Sequence, residues 1–279
     1  MIEKHIGGNV NLWSVRFDSL AEFERYILDT PENKAFQFTR LASKATDMMT
    51  VGFTHSKSLR EATDLLHDGW ADKAEELTKR LRAVERDMSP VVKNQRVVSV
   101  AGFQPIVPLF LMGSPACMYG TKMQPVKQKV VTLVKSISYN ASTSCDDWTN
   151  EGLKALAIVK KLEANGYRVN VDVIRGGYDP DNHKNGIVCR VRVKHANERL
   201  NVSKMAFCLC HPSMQRRLMF RFTEVYDKVT SGFPYSYGMT FVPSDFEPVL
   251  DKRKEYFIPA FIKGDVDRIR SVSDLEMMV

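Results

Sequence analysis

Residues 130–174, VVTLVKSISYNASTSCDDWTNEGLKALAIVKKLEANGYRVNVDVI, decide the architecture. Val130-Val-Thr-Leu-Val134, with Ile137, has the nearly unbroken apolar character of a strand buried on both faces. Between Asp147 and Ala164, residues Leu153, Leu156, Ala157, Val159 and Leu162 recur at helical spacing, and Asn165-Gly166 supplies the stop. Arg168 to Ile174 then alternates with a period of two. Strand, helix and strand at these lengths predict a βαβ unit, hence an α/β fold with a mixed, largely parallel sheet flanked by helices.

Working outward toward the C-terminus, Ile187 to Lys194 alternates again after a polar turn around Asn185-Gly186. Pro212 suits the first turn of a helix running to about Val229, Tyr256 to Ile262 reads as a late strand, and Ser271 to Met278 as a short final helix. Toward the N-terminus, Val97 to Ala101 is short and β-branched, and a Pro- and Gly-punctuated passage follows from Gly102 to Pro125. Before it, Ser19-Leu-Ala-Glu22 and Ser58-Leu-Arg-Glu61 are capping boxes, in which the serine accepts from a free backbone N–H and opens a helix. Gly69 closes the second helix, and Ala74, Leu77, Leu81 and Val84 stripe a third, amphipathic one that ends at Ser89-Pro90. These signals divide the chain into a helical N-terminal part, residues 1–95, and an α/β domain, residues 96–279.

Composition narrows the classes. Of 279 residues, 44% are hydrophobic and 26% charged, which is ordinary for a chain that packs a core. No apolar run approaches the ~20 residues a membrane-crossing helix needs, and Met1 to Val15 has no apolar stretch of the signal-peptide kind. The expectation is therefore a cytoplasmic protein with no membrane partner, in the host cell cytoplasm if the chain is phage-encoded. Five cysteines at irregular spacings, with no C-x-x-C pair, predict reduced thiols rather than a disulfide framework. Cys208-Leu-Cys210-His211 sits among apolar residues and reads as core packing rather than a zinc site. Asp179-Pro-Asp181-Asn-His183 lacks the acidic ligands of a calcium loop and reads as a turn.

A net charge of +7 points to an acidic partner, with nucleic acid first. In the second alternating segment, Arg190, Arg192 and Lys194 share one face of the strand while Cys189, Val191 and Val193 take the other. Arg216 and Arg217 follow, then Tyr235 and Tyr237 in a Gly- and Pro-containing loop. Cations can track phosphates while aromatics stack on unpaired bases, so these seven residues form the expected nucleic-acid surface, with single strands favoured. The competing reading leaves the cationic strand face solvated or neutralised by acidic neighbours and makes the aromatics core.

The loop Asn140-Ala-Ser142-Thr-Ser144, with Asp146 and Asp147 before the helix, resembles the D-x-S-x-S metal loop of von Willebrand factor A domains. That resemblance implies a von Willebrand A-like domain and a Mg²⁺ site at Asn140, Ser142 and Ser144. Asparagine replaces the leading aspartate, which removes much of the attraction for a hard cation, so the expectation is an empty, degenerate site and no cofactor. The arrangement of Trp13, the helix from Ser58 to Trp70, the proline-rich Gly102 to Met118 passage and the βαβ unit also resembles an uncharacterised family of bacteriophage proteins, which implies a viral origin. By size and basic character the chain is similar to the single-stranded-DNA-binding factor with which some phages recruit their own RNA polymerase.

No phosphate loop, dinucleotide fingerprint, nucleophile elbow or H-E-x-x-H motif occurs. The leading expectation is a non-enzymatic, phage-encoded accessory protein that binds single-stranded DNA or another nucleic acid and helps recruit transcription or replication machinery, such as a phage polymerase. The alternative is a protein-interaction scaffold built around the degenerate loop.

Overall fold

The computed structural model describes residues 1–7, 11–34, 43–85, 94–123, 129–179, 185–228, 237–251 and 253–260. The short helix expected over Ser271 to Met278 lies outside them. Two strands open the chain, β1 (Ile2–Ile6) and β2 (Asn11–Phe17), followed by helices α1 (Leu20–Asp29), α2 (Met48–Thr54), α3 (Leu59–Asp68) and α4 (Ala71–Glu85). A separate small unit comprises β3 (Asn94–Ser99), β4 (Gln104–Pro105), α5 (Val107–Leu111) and β5 (Met118–Met123). Then come β6 (Val130–Ser136), α6 (Cys145–Ala164), β7 (Arg168–Tyr178), β8 (Asn185–Lys194) and α7 (Val202–Cys210). A π-helical turn, Met214–Met219, runs into α8 (Phe220–Val225) and is followed by β9 (Met239–Thr240), a 3-10 helix (Pro243–Val249) and β10 (Glu255–Ile258).

The expected βαβ unit is present as β6, α6 and β7, with the two strands parallel. The central sheet runs in the order β1-β2-β8-β7-β6-β10, and β9 also pairs with β7. Within it β2 and β8, β6 and β7, and β6 and β10 are parallel, so the sheet is mixed and largely parallel. The N-terminal part carries the three expected helices, α1, α3 and α4, and α2 in addition, but its strand β2 pairs with β8 and so belongs to the same sheet as the C-terminal strands.

Alternation on the strands sorts the two faces. Val15, Phe17, Val131, Leu133, Val169, Val171, Val173, Cys189 and Val191 join one core with buried residues of α1, α3, α4, α6, α7, the π turn and α8. The opposite face holds a smaller cluster in which Leu12, Val134, Ile174 and Val188 meet Phe241 and Phe246. Ser19 and Ser58 cap α1 and α3, each accepting from the backbone N–H of the glutamate three residues on, at 3.1 Å. Gly69 ends α3 at φ 83°, and a Cβ there would lie 2.6 Å from the Ser203 carbonyl carbon at the start of α7. Gly152 serves a second close approach, since a Cβ on it would meet the Leu209 carbonyl oxygen at 2.4 Å. Small residues at these two points let α3 and α6 reach α7.

The segment from His211 to Tyr226 is buried at every residue. A helix buried all round is ordinarily apolar all round, yet this one carries Gln215, Arg216, Arg217, Arg221 and Glu224. His211 enters it neutral. Its Nδ1 accepts from the Ser213 backbone N–H at 3.1 Å and its ring meets Trp70 edge-on at 4.7 Å. Burial, aided by the charge of His55, pushes its pKa down to about 4. A histidine that binds fewer protons folded than unfolded stabilises the fold above its unfolded pKa, and that contribution is lost as pH falls through the folded value. Chemical denaturation should therefore show stability declining by up to about 3 kcal/mol as pH drops from 6.5 toward 4. In His211→Asn, which keeps an acceptor for Ser213, that part of the decline should disappear.

Candidate functional site

Arg190, Arg192 and Lys194 do share a face of β8, but all three are buried. Asp172, itself buried on β7, accepts from Arg190 Nε at 2.7 Å and from Arg192 Nη2 at 3.3 Å, and also from Arg192 Nε. Glu255 on β10 takes the Arg190 guanidinium bidentately at 2.6 and 3.1 Å. Burial opposes the Arg190 charge, but Glu255 and Asp172 outweigh it and raise the pKa. Lys194 Nζ donates to the carbonyls of Val169 at 3.0 Å and His195 at 3.2 Å, and pairs with Glu163 at 2.6 Å. The expectation of a solvent-facing stripe is overturned: these cations are consumed by internal carboxylates and carbonyls, so they are not free to meet phosphate.

Of the other residues of that expected surface, Arg216, Arg217 and Tyr237 are likewise buried. Arg216 donates to the carbonyls of Phe53 at 2.8 Å, Thr143 at 3.1 Å and Asn140 at 3.2 Å, and lies over the Phe53 ring at 4.2 Å and the Trp148 ring at 5.1 Å. Burial pushes its pKa down to about 10. Arg217 donates to the carbonyls of Ala45 and Ser56, each at 2.7 Å. The two arginines thus tie the segments before α3 and α6 to the central helix. Tyr237 is buried, stacked on Phe220 at 3.9 Å, with its hydroxyl donating to Glu224 at 2.6 Å. Glu224, whose pKa burial raises, also accepts from Ser43 and from Arg221 at 3.3 Å. Tyr235 lies outside the described residues.

The loop before α6 is closed on itself. Asn140 Oδ1 accepts from the Ser142 backbone N–H at 3.1 Å, the Ser142 hydroxyl at 2.9 Å and the Thr143 hydroxyl at 2.9 Å. Ser144 caps α6, accepting from Asp147 N at 3.1 Å and donating to its carboxylate at 2.7 Å. These are the turn and cap roles that Asn and Ser commonly take, and they occupy the side-chain oxygens of Asn140, Ser142 and Ser144, the residues of the expected degenerate loop. Among the described residues, no group of three or more His, Cys, Asp or Glu is placed to hold a metal ion. A cleft of about 370 Å³ between α1, α3 and the start of α7 is lined by Arg199, Lys204 and His195, with Glu24, Glu198 and His67 alongside. His67 and Glu24 are joined there at 2.7 Å, and the lining is of mixed charge.

The unit from β3 to β5 is built differently. Its sheet has the order β3-β5-β4, apart from the central sheet. Of its described side chains only Gly120 is buried, and none belongs to a core cluster. Val98, Phe103 and Val107 are more than half exposed, and Val100, Phe110, Leu111 and Met112 are 67–79% exposed. What orders the arm is local. Arg96 lies over the rings of Tyr119 at 4.9 Å and Phe103 at 5.6 Å, and Phe103 N and Ile106 N donate to the Tyr119 and Cys117 carbonyls at 2.8 and 2.7 Å.

This surface had a signal in the sequence. From Met88 to Cys145 there are six Lys and Arg but no Asp or Glu, so nearly all of the +7 excess lies in that run. At its centre, Val97 to Thr121 holds no charged residue at all.

One family model, described as a domain of unknown function (DUF7192), matches residues 3–275. No curated protein and no solved structure matches the chain. Among the described residues, no helix is long and apolar enough to cross a membrane.

Removing the shared carboxylate tests the structural role of the stripe. Asp172→Asn leaves Arg192 buried beside a neutral amide, and breaking a buried pair in this way costs ~3–5 kcal/mol. Urea denaturation should show a loss of that size, where an exposed phosphate-binding stripe would tolerate the change.

Proposed function

We propose that this chain, which belongs to the DUF7192 family, is a non-enzymatic protein-interaction component whose docking element is the arm of residues 94–123. The observation that carries this reading is the run of seven large, exposed apolar side chains between Val98 and Met112, set on a unit with no core of its own. Exposed apolar patches of this kind mark interaction sites. Phe and Met are enriched and charge is depleted at the centres of protein interfaces, which fits the uncharged stretch from Val97 to Thr121. The α/β body then acts as the rigid mount. Its buried charges hold it together and leave recognition to the arm.

Site-specific photocrosslinking tests this. A photoreactive residue at position 110 should give discrete protein adducts in the producing cell, adducts that vanish when Leu111→Asp is added. The same probe at Arg25, an exposed position on α1, should give none. Diffuse or identical adducts from both positions would contradict the reading.

Nucleic-acid binding is the second reading, favoured by a specific feature: the acid-free run from Met88 to Cys145 carries six Lys and Arg, and Phe103 and Phe110 within it are exposed. Cations there would meet phosphates while the rings stack on unpaired bases, each stack contributing roughly 1–3 kcal/mol. Such an activity would suit an accessory of transcription or replication machinery. Fluorescence anisotropy with single-stranded and duplex DNA across a salt series separates the readings. Nucleic-acid binding predicts a salt-sensitive preference for single strands that drops about tenfold or more in Phe103→Ala/Phe110→Ala. The docking reading predicts weak binding indifferent to those two rings.

A further inference from the structure

We infer that the occupant of the arm is a second copy of this chain, packed arm against arm about a two-fold axis. This rests on the docking reading above and names its partner. Area is the first argument. At ~150–200 Å² for a fully exposed large apolar side chain, the seven exposed residues present roughly 800 Å², about the share one partner gives to a standard-size interface. The exposed set comprises Val98, Val100, Phe103, Val107, Phe110, Leu111 and Met112.

Chemical self-complementarity is the second argument. Because Val97 to Thr121 carries no charge, two such surfaces meet without burying a like-charged pair or leaving an ion that needs an opposite partner. Arg96, just outside that stretch, already faces the rings of its own Phe103 and Tyr119.

The third argument is the backbone. Among the described residues β3 has a strand neighbour on one side only, β5. Edge strands related by a two-fold axis pair antiparallel, and such an isologous contact closes at two copies instead of growing into a fibre. A second copy is also the one partner present in equal number with every arm, which suits an apolar surface that needs constant cover.

The flanking lysines, Lys93, Lys122, Lys127 and Lys129, place like charge near both sides of the contact in sequence. Added salt should therefore leave the association intact or tighten it, since screening weakens repulsion while apolar burial persists.

The test is the solution mass of the full chain by light scattering and sedimentation over a range of concentrations and salt. A two-chain particle is expected, stable from low to molar salt, and Phe110→Asp/Leu111→Asp should convert it to a single chain with an unchanged circular-dichroism spectrum. Val98→Arg, on the edge strand, should weaken the dimer by tenfold or more with the same spectrum. Dimers that survive both variants, or that salt dissociates, overturn the arm-to-arm contact. A wild-type chain that is single at every concentration overturns the second copy as occupant. In that case an apolar dye bound by the wild type and lost in the double variant leaves the docking reading standing, and no dye binding overturns that reading as well.

Discussion

Burying a charge is tolerable only where a carboxylate or an oriented carbonyl answers it, and this constraint organises the body of the molecule. Asp172 is the clearest instance, a buried carboxylate on the central strand β7 that gathers Arg190 and Arg192, with Glu255 completing the set from β10. Elsewhere Arg216 and Arg217 donate to carbonyls, of Phe53 in α2 and of Thr143, Ala45 and Ser56 in the loops. Each such arginine binds several backbone acceptors at once, which accounts for cations inside a fully buried helix. The body is thereby held by specific polar contacts as well as by its apolar core.

The same constraint makes the arm stand out. Small sheets need a covered apolar face to be stable, and the arm between β3 and β5 has exposed apolar side chains without a core. Its internal order comes from a short sheet, a few backbone hydrogen bonds and the stacking of Arg96. Among the described residues the unit shares no core cluster with the body. Charge is placed differently in the two: Arg190, Arg192, Lys194, Arg216 and Arg217 are buried in the body, and the arm carries no charge from Val97 to Thr121.

Much of the architecture was legible. The βαβ unit, the capping serines of α1 and α3 and the stop at Gly69 all follow from local spacing, because their physics is local. Strands β1 and β2 and helix α7 were missed. The sequence NLWSVRF mixes its alternation with polar residues that face a charged sheet surface, and MAFCLC is apolar on all sides, so neither shows a clean period. The alternation of β8 correctly placed Arg190, Arg192 and Lys194 on one face, but periodicity says nothing of what lies over that face. Asp172 and Glu255 reach it from other strands, and the pairing in the sheet brings them there. The arm was legible in another way, through the absence of Asp and Glu from Met88 to Cys145.

The most direct measurement is amide hydrogen exchange of the full chain at low and high protein concentration, read peptide by peptide. Amides of residues 94–123 should gain protection as concentration rises, while those of β7 and β8 should exchange slowly and identically in both samples. Arm amides that exchange fast at every concentration, or concentration-dependent protection confined to the body, would contradict the claim that recognition belongs to the arm.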